Sequence, residues 1–319
     1  MTGISVGKLW QYPVKSMQGE EVDQILLGAG GVAGDRAYGF VDVETGRLAS
    51  AKRPRRFGPL LDCRARFLAA PVIDGASPPV EVTFPDGATV RTGDDDGAEL
   101  TRRVADLLGR EVRLVSTAPE GVALDELIPQ LEGLGENALE AMATEPADSD
   151  GDRFMAIPVA MAAPGTMLDL AAMHVLATST LRRLADAHPD GSWDPRRMRP
   201  NILIDDSAEP GDEDDWLGCD LHIGEQVVVH IVGPTPRCVM TTLPQPGLLK
   251  DSGILKTVAA VNMKEMGALG QFPCAGSYAE VVTPGVVRRG DAIRFERVAP
   301  RKGALAAMVE MMTAALAAD

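Results

Sequence analysis

The sequence predicts a mainly β protein with a few helices (α+β), divided into two domains. Short apolar stretches bounded by Gly, Pro or Asp recur from Ile4 onwards, and this spacing is typical of short strands. Other stretches have apolar residues three or four positions apart, which indicates helices. A chain of 319 residues is long enough for two domains of ordinary size.

The first domain, predicted to span residues 1–118, begins with strands. ISVGKLWQYPV, VDQILLG and AYGFVDV are strand-like, and DVETGR at 42–47 has the composition of a hairpin turn. Together with ARFLA, VEVTF and ATVRT, they predict a small barrel or sandwich. LTRRVADLLG predicts a helix that stops at Gly109, and EVRLVS predicts a closing strand.

Three further segments are predicted after the first domain. Residues 119–165 are rich in Glu, Asp, Pro and Ala, which favours an acidic linker or insert with one or two weak helices. In the second domain, residues 166–297, Thr178 or Ser179 caps a helix, and strands follow at NILID, HIGEQVVVHIVG, YAEVV and AIRFERV. Residues 298–319 predict a C-terminal helix whose apolar stripe packs on the body.

The charge balance excludes several classes of partner. With 46 acidic and 31 basic residues the formal charge is −15, which argues against a general nucleic-acid binder and against docking on an anionic membrane. We therefore expect no nucleic-acid and no membrane partner. No signal peptide, long apolar run or C-x-x-C pair is readable, so a cytoplasmic protein with reduced thiols is expected. In so acidic a chain, basic clusters such as 52–56 are either solubility charges or local anion sites.

Among the four cysteines, Cys238 has the strongest local support for a chemical role. It follows Gly233-Pro-Thr-Pro-Arg237, whose two prolines interrupt sheet pairing, so we expect it at a junction of strand and loop. Arg237 would favour the thiolate if the two side chains converge. Buried packing is the commoner role of a lone cysteine and stays an alternative.

A second group of residues combines basic side chains with hydroxyls. Lys15-Ser16 follow a strand end, Arg36 ends a glycine-rich turn, and Arg199-Pro200-Asn201 begins a strand. Together with a helix that begins at Ser or Thr, they are the groups that a phosphate-bearing ligand needs. The four histidines lack metal-ligand spacing, which favours ordinary structural roles.

These segments, taken in order, resemble the MOSC (molybdenum cofactor sulfurase C-terminal) family. LWQYPVKSMQGEEVD and GDRAYGFVD resemble its N-terminal β-barrel domain, and MRPNILID, EDDWLG, PTPRCVMTT, GILKTV and GSYAEVVTPGVVRRGD resemble the MOSC domain. Their order and spacing are similar to those of the mitochondrial amidoxime-reducing component and its bacterial relatives. The resemblance implies a β-barrel-like domain followed by a β-barrel MOSC domain with peripheral helices.

The resemblance also implies the cofactor and the residues that hold it. Cys238 takes the place of the cysteine that ligates molybdenum, and a thiolate suits a metal already held by the dithiolene sulfurs of a pterin. The pterin and its phosphate would be held by Lys15, Ser16, Arg36, Ser179, Thr180, Arg199, Asn201, Arg237 and Thr241. Asp214, Glu213 or His174 could transfer protons, and Asp214 joins Cys238 as a candidate catalytic residue.

The implied activity is the two-electron reduction of N-hydroxylated or N-oxide substrates. No run of four clustered cysteines is present, so the electrons would come from a separate donor of ferredoxin, flavoprotein or cytochrome type. Two alternatives stay open: a non-catalytic carrier of molybdenum cofactor, and a scaffold repurposed for sulfur transfer through Cys238 or for biosynthetic chemistry without molybdenum. Residues 119–165 and 263–276 match the family poorly and could line a changed substrate entrance.

Overall fold

The computed structural model describes residues 3–128, 151–159, 165–207, 211, 213–266, 270–299 and 301. Within these residues it contains 19 strands and four helices, so the α+β class is confirmed. The predicted C-terminal helix falls almost entirely on residues outside this part of the chain. None of the helices within the described ranges is long and apolar enough to cross a bilayer.

The helices are α1 Pro54–Phe57, α2 Ala98–Leu108, α3 Thr178–Ala187 and α4 Gly253–Val261. Single 3-10 turns occupy Gly58–Asp62, Pro195–Arg197, Glu213–Trp216 and Val239–Thr242. The strands are β1 Ser5–Gln11, β2 Glu20–Val22, β3 Gln24–Gly28, β4 Gly31–Val32, β5 Gly39–Asp42, β6 Arg64–Phe67, β7 Val80–Thr83, β8 Thr89–Arg91, β9 Val112–Val115, β10 Ala123–Leu127, β11 Phe154–Pro158, β12 Met173–Ala177, β13 Ile202–Asp205, β14 Cys219–Ile223, β15 Val227–Pro236, β16 Met263–Glu265, β17 Gln271–Thr283, β18 Gly285–Arg288 and β19 Ile293–Arg297.

One large sheet joins strands from both ends of the chain. Its order is β19-β14-β15-β17-β12-β13-β1-β2, with β16 paired to β17. β12 and β13 are parallel and connected through α3, whereas β1 lies antiparallel to β13 with Leu9 opposite Ile202. The first strand of the chain is therefore a neighbour of strands that follow residue 165, and the domain limits drawn above stay predictions.

The cores follow from the apolar periodicities of the sequence. Alternate residues of β14 and β15, such as Leu221, Ile223 and Val229, are fully buried in the core of the large sheet. In the second core, Leu100 and Val104 of α2 pack with aromatic and aliphatic residues of the N-terminal segment. The helix stops where it was predicted to, because the residue after Leu108 is Gly109 in the left-handed conformation (φ 64°).

One local expectation was wrong, and another is tested only in part. The segment 119–165 was expected to be an acidic linker or insert with one or two weak helices. Its residues 123–127 and 154–158 pair as the antiparallel strands β10 and β11, whereas the expected helices fall on residues 129–150 and 160–164, outside the described part of the chain. Leu124 of β10 lies opposite Ile157 of β11, and both side chains are buried. Neither Thr178 nor Ser179 is the N-cap of α3, because the helix begins at Thr178 and its cap residue is Ala177.

Candidate functional site

One cavity brings together most of the residues that the sequence analysis selected. It lies where the connections that follow β1, β4 and β15 meet the connection that precedes β13. Its lining includes Lys15, Ser16, Arg36, Arg199, Asn201, Arg237, Cys238 and Thr241. The order of the large sheet explains this convergence, because β1 and β13 are adjacent and β15 lies a few strands away.

Cys238 is the one cysteine of the four that is not buried. It follows the end of β15 and begins a 3-10 turn, which confirms the predicted junction of strand and loop. The backbone N–H and the hydroxyl of Thr241 both donate to the Cys238 carbonyl, at 3.2 and 3.0 Å. Loss of solvent around the partly enclosed side chain, reinforced by Glu126, raises the pKa of the Cys238 thiol, while Lys52 opposes that shift. The two bonds to its carbonyl thus hold the backbone of Cys238 where the residue lines the cavity.

A chain of alternating charges runs beside Cys238. Lys15 donates to the Met167 carbonyl at 2.7 Å and pairs with Asp169. The other carboxylate oxygen of Asp169 lies 3.1 Å from Lys52, which also donates to Glu126 at 2.5 Å. Burial lowers the pKa of Lys15 to about 8, although Asp169 opposes this. Burial alone would raise the pKa of Asp169, but the two lysines hold it well below its usual range.

The backbone of the cavity is strained at three positions. Ser16, Arg36 and Arg199 have positive φ angles of 67°, 49° and 53°. They are three of the five non-glycine residues with positive φ in the described part of the chain. Each such conformation costs on the order of 1–3 kcal/mol and persists where surrounding contacts enforce it, which is common at functional sites.

Two of these strained residues converge on one aromatic ring. The guanidinium groups of Arg36 and Arg199 lie 4.3 and 4.4 Å from the centre of the Tyr12 ring. Asp35 accepts from the Tyr12 backbone N–H and from Asn201 Nδ2, both at 3.0 Å, and pairs with Arg36. The Nη1 of Arg199 is buried and has no hydrogen-bond partner within the described residues. Burial and the charge of Arg36 lower the pKa of Arg199 to about 10. An anion placed here would satisfy the free donor and relieve the repulsion.

Replacing Tyr12 with leucine is expected to weaken anion binding at this position by about tenfold. The ring holds two like-charged guanidinium groups, and each such contact contributes about 1–2 kcal/mol when it is shielded from water. Calorimetry of pyrophosphate binding to the cofactor-free protein measures the effect. Tyr12→Phe is the control, since it keeps the ring and loses only the hydroxyl bond to the Pro200 carbonyl (3.2 Å). Equal affinity in the leucine and phenylalanine variants would contradict the role given to the ring.

Arg237 and His174 form another part of the cavity wall. Arg237 donates to the carbonyl oxygens of Met198 and Thr235, at 2.8 and 3.1 Å, and its Nη2 lies 3.5 Å from His174 Nε2. Burial and Arg237 keep the pKa of His174 well below its ordinary value, so the imidazole is neutral at neutral pH. Arg237 therefore ties the segment before β13 to the end of β15, rather than pairing directly with Cys238.

Two of the selected residues, Ser179 and Thr180, do not line the cavity. Asp206 accepts from the Ser179 N–H at 2.9 Å and from the Thr178 hydroxyl at 2.7 Å. The Thr180 hydroxyl donates to Glu213, so carboxylates of the chain itself occupy the start of α3, where a phosphate was expected. Asp214 lies in the 3-10 turn Glu213–Trp216, and its side chain is outside the described residues.

Several residues of the site were not predicted from the sequence. Lys52, Asp169 and Tyr278 line the cavity. Lys52 was considered only as part of a basic cluster, and Asp169, Tyr278 and Tyr12 were given no role. Tyr12 carries a usable signal, since it precedes the Pro-Val-Lys-Ser segment. Asp169 has none, because it becomes important only through lysines more than a hundred residues earlier in the chain.

Glu213 should make stability depend on pH. It is buried and accepts from the Gly276 N–H at 2.7 Å, and burial raises its pKa to about 7. Between its ordinary pKa and 7 the folded protein holds a proton that the unfolded chain releases, so stability falls as pH rises through that window. We expect a loss of up to about 3 kcal/mol between pH 5 and 8. Urea denaturation of the wild type and Glu213→Ala at both pH values checks this. The prediction is wrong if the free energy of unfolding changes equally with pH in the two proteins.

The fold and the site define a β-rich protein with a cavity that is lined by cationic side chains and a partly exposed cysteine. Residues 165–294 match the MOSC domain, and residues 3–60 match the MOSC N-terminal beta barrel domain. The two matches together cover more than half of the chain, which therefore belongs to the MOSC-domain family. MOSC domains are in general associated with the molybdenum cofactor.

Similarity to individual proteins is much weaker. No curated protein matches the chain. The YUAD protein from Bacillus subtilis is 10% identical over 93% of this chain and 97% of its own, with a TM-score of 0.37. YiiM from Geobacillus stearothermophilus is 14% identical over 44% of this chain and 63% of its own, and YiiM from Escherichia coli is 14% identical over 43% and 61%, each with a TM-score of 0.28. The chain thus matches about three fifths of the length of these YiiM proteins.

Proposed function

We propose that this protein binds the molybdenum cofactor in the cavity and reduces N-hydroxylated or N-oxide compounds. One observation carries the proposal: the accessible thiol of Cys238 shares a cavity with the unpartnered, buried Nη1 of Arg199. A soft sulfur donor and a cationic anion site in one cavity are the two groups that a metal bound to a phosphorylated pterin requires. The donor set of the cavity therefore fits this cofactor.

The residues divide by chemistry. Cys238 would ligate the metal, and its thiol would lose the proton that burial otherwise favours. Arg36 and Arg199 would bind the phosphate, while Lys15 and the Ser16 hydroxyl would donate to the pterin. When bound, the cofactor supplies the two-electron chemistry, and the protein supplies binding, orientation and electrostatics. Asn201 supports the site through Asp35, to which it donates at 3.0 Å.

Proton delivery would come from the wall formed by Tyr278 and His174. Burial raises the pKa of Tyr278, so its hydroxyl keeps its proton and can donate a hydrogen bond to the oxygen of an N–O group. The His174 imidazole is neutral, and its edge lies against the Tyr278 ring, with 6.4 Å between the ring centres. The role predicted for Asp214 stays a prediction.

Electrons would arrive from a separate donor protein of ferredoxin, flavoprotein or cytochrome type. The four cysteines of the chain cannot ligate one iron–sulfur cluster, because Cys63, Cys219 and Cys238 pack in three different hydrophobic cores. Cys274 is buried and hydrogen bonded to the Phe272 carbonyl at 3.4 Å. The donor would therefore have to meet the protein at its surface.

The test is to measure molybdenum and pterin per chain in protein from a cofactor-producing host, and benzamidoxime reduction with reduced methyl viologen. Stoichiometric cofactor with turnover supports the proposal. Cofactor without turnover, across amidoximes, hydroxamic acids and N-oxides, would identify a carrier instead. Wild-type protein that acquires no molybdenum would overturn the proposal in favour of sulfur transfer through Cys238 or of chemistry without molybdenum.

A further inference from the structure

β10 links the proposed cofactor cavity, through Lys52, to a second cavity. Successive side chains of a strand point to opposite faces, and β10 carries two carboxylates in succession. Glu126 receives the bond from Lys52, which lines the cofactor cavity. Asp125 lines the second cavity on the other face, where it pairs with Arg53. One strand therefore binds a lining residue of the first cavity on one face and lines the second cavity on the other.

The second cavity, here called the arginine cleft, is lined by Arg47, Arg53 and Arg56, with Asp125 as its one acidic lining residue. Arg53 lies over the Phe154 ring at 4.2 Å, and Arg47 Nε is 3.4 Å from Asp125. The side chain of Arg56 has no hydrogen bond or ion pair to any residue that the structure describes. Three guanidinium groups thus face a single carboxylate, and the cleft has an excess of positive charge.

This excess is unusual in the protein as a whole. The chain has a formal charge of −15, so an acidic partner would be repelled from most of its surface. A concave cationic region in such a chain concentrates the attractive field at one place and orients the partner as it approaches. Charge complementarity therefore favours an acidic occupant for the arginine cleft over a neutral or basic one.

The arginine cleft is also next to the proposed cofactor cavity, where the electrons for the reduction are needed. Lys52 lines the cofactor cavity and the next residue, Arg53, lines the arginine cleft. The Lys52 carbonyl accepts from the Leu127 N–H at 3.0 Å, so this segment runs directly along β10. A partner seated in the cleft would therefore contact the residue next to Lys52, which lines the cavity that holds Cys238.

We propose that the arginine cleft is the docking surface for an acidic redox protein that reduces the bound cofactor. This rests on the proposed function. For each N–O bond broken, the donor loses two electrons, the substrate takes up those electrons with two protons from solvent, and the oxygen leaves as water. The electrons enter beside Lys52, on the face of β10 opposite the docked protein.

The test uses the cofactor-loaded protein, an acidic [2Fe–2S] ferredoxin and an acidic flavodoxin as probes, and methyl viologen as a small donor that needs no docking. Arg56→Glu should lower the protein-driven kcat/KM by about tenfold and leave the viologen-driven rate unchanged. Arg288→Glu is the matched control, because Arg288 is an exposed arginine of β18 that lines neither cavity. It should change either rate by less than about twofold. Rising salt should slow the wild type more steeply than Arg56→Glu.

Binding of the same two probes, measured without turnover, separates the docking surface from the proposed function. A wild type that is inactive with viologen refutes the proposed function. The docking surface is refuted if neither probe binds the wild type, or if Arg56→Glu and Arg288→Glu bind the probes equally well. A gain in probe affinity on Arg56→Glu would also overturn it. A cleft that attracts acidic proteins through its positive charge must bind them more weakly when one of its arginines becomes a glutamate.

Discussion

Replacing Cys238 with alanine is expected to lower the molybdenum content by at least about a hundredfold at limiting cofactor and to abolish viologen-driven reduction. Changes to residues that merely orient a ligand already lower metal affinity by about 10–100-fold, and loss of the ligand itself should exceed that. Cys238 is the one accessible cysteine of the chain, so no other thiol can replace it without rearrangement. Metal analysis of the purified variant measures the effect.

Cys219→Ala is the matched control for this experiment. It makes the same change, from cysteine to alanine, at a buried position of β14 within the core of the large sheet. We expect it to keep the cofactor and to be modestly less stable. Full molybdenum content in Cys238→Ala would rule out ligation by this residue and would leave sulfur transfer as its chemical role.

Replacing Asp169 with asparagine is expected to lower the free energy of unfolding by about 3–5 kcal/mol at pH 7. The carboxylate is shared by Lys15 and Lys52, and the variant leaves Lys15 with only the Met167 carbonyl as a partner. Lys52 keeps Glu126 and should be less affected. Breaking a buried pair leaves an uncompensated charge, which is why the loss should be large.

The deficit of Asp169→Asn should shrink as pH rises from 7 to 9. The pKa of Lys15 is already lowered to about 8, and loss of Asp169 lowers it further. A lysine with a lowered pKa binds its proton less tightly in the folded than in the unfolded chain, so stability increases as pH rises through that range. Urea denaturation at both pH values measures this. Glu21→Gln, which breaks the exposed pair with Lys8, should show neither effect, and an equal loss in both variants would contradict the prediction.

Much of the fold follows from local pattern. The stop of α2 at Gly109 depends on a residue that adopts positive φ readily, and the position of Cys238 depends on two prolines that end a strand. Within the segment 119–165, the acidic composition gave no sign of the two short strands at 123–127 and 154–158. β10 and β11 are strands because each supplies the pairing partner of the other, and that information is not contained in either segment.

The start of α3 shows a second limit. Hydroxyls at a helix N-terminus suggest an anion site in any sequence, and Ser179 and Thr180 fit that pattern. Asp206 and Glu213 occupy the same donors, and they reach them from segments more than twenty residues away. Carboxylates of the chain and the phosphate of a ligand can both bind the free N–H groups and hydroxyls at a helix start. The sequence around the helix does not show which carboxylates the fold brings there.

The sequence by itself determined the class of the protein and the short motifs that carry its chemistry: the cysteine, and the Lys-Ser, Asp-Arg and Arg-Pro-Asn segments. Only the tertiary structure decided that Asp169 joins Lys15 to Lys52, and that Lys52 and Arg53 serve different cavities. The physical reason is that local motifs depend on backbone conformation over a few residues. Charge pairing and the separation of the two cavities depend instead on which strands are neighbours, and no local pattern specifies that order.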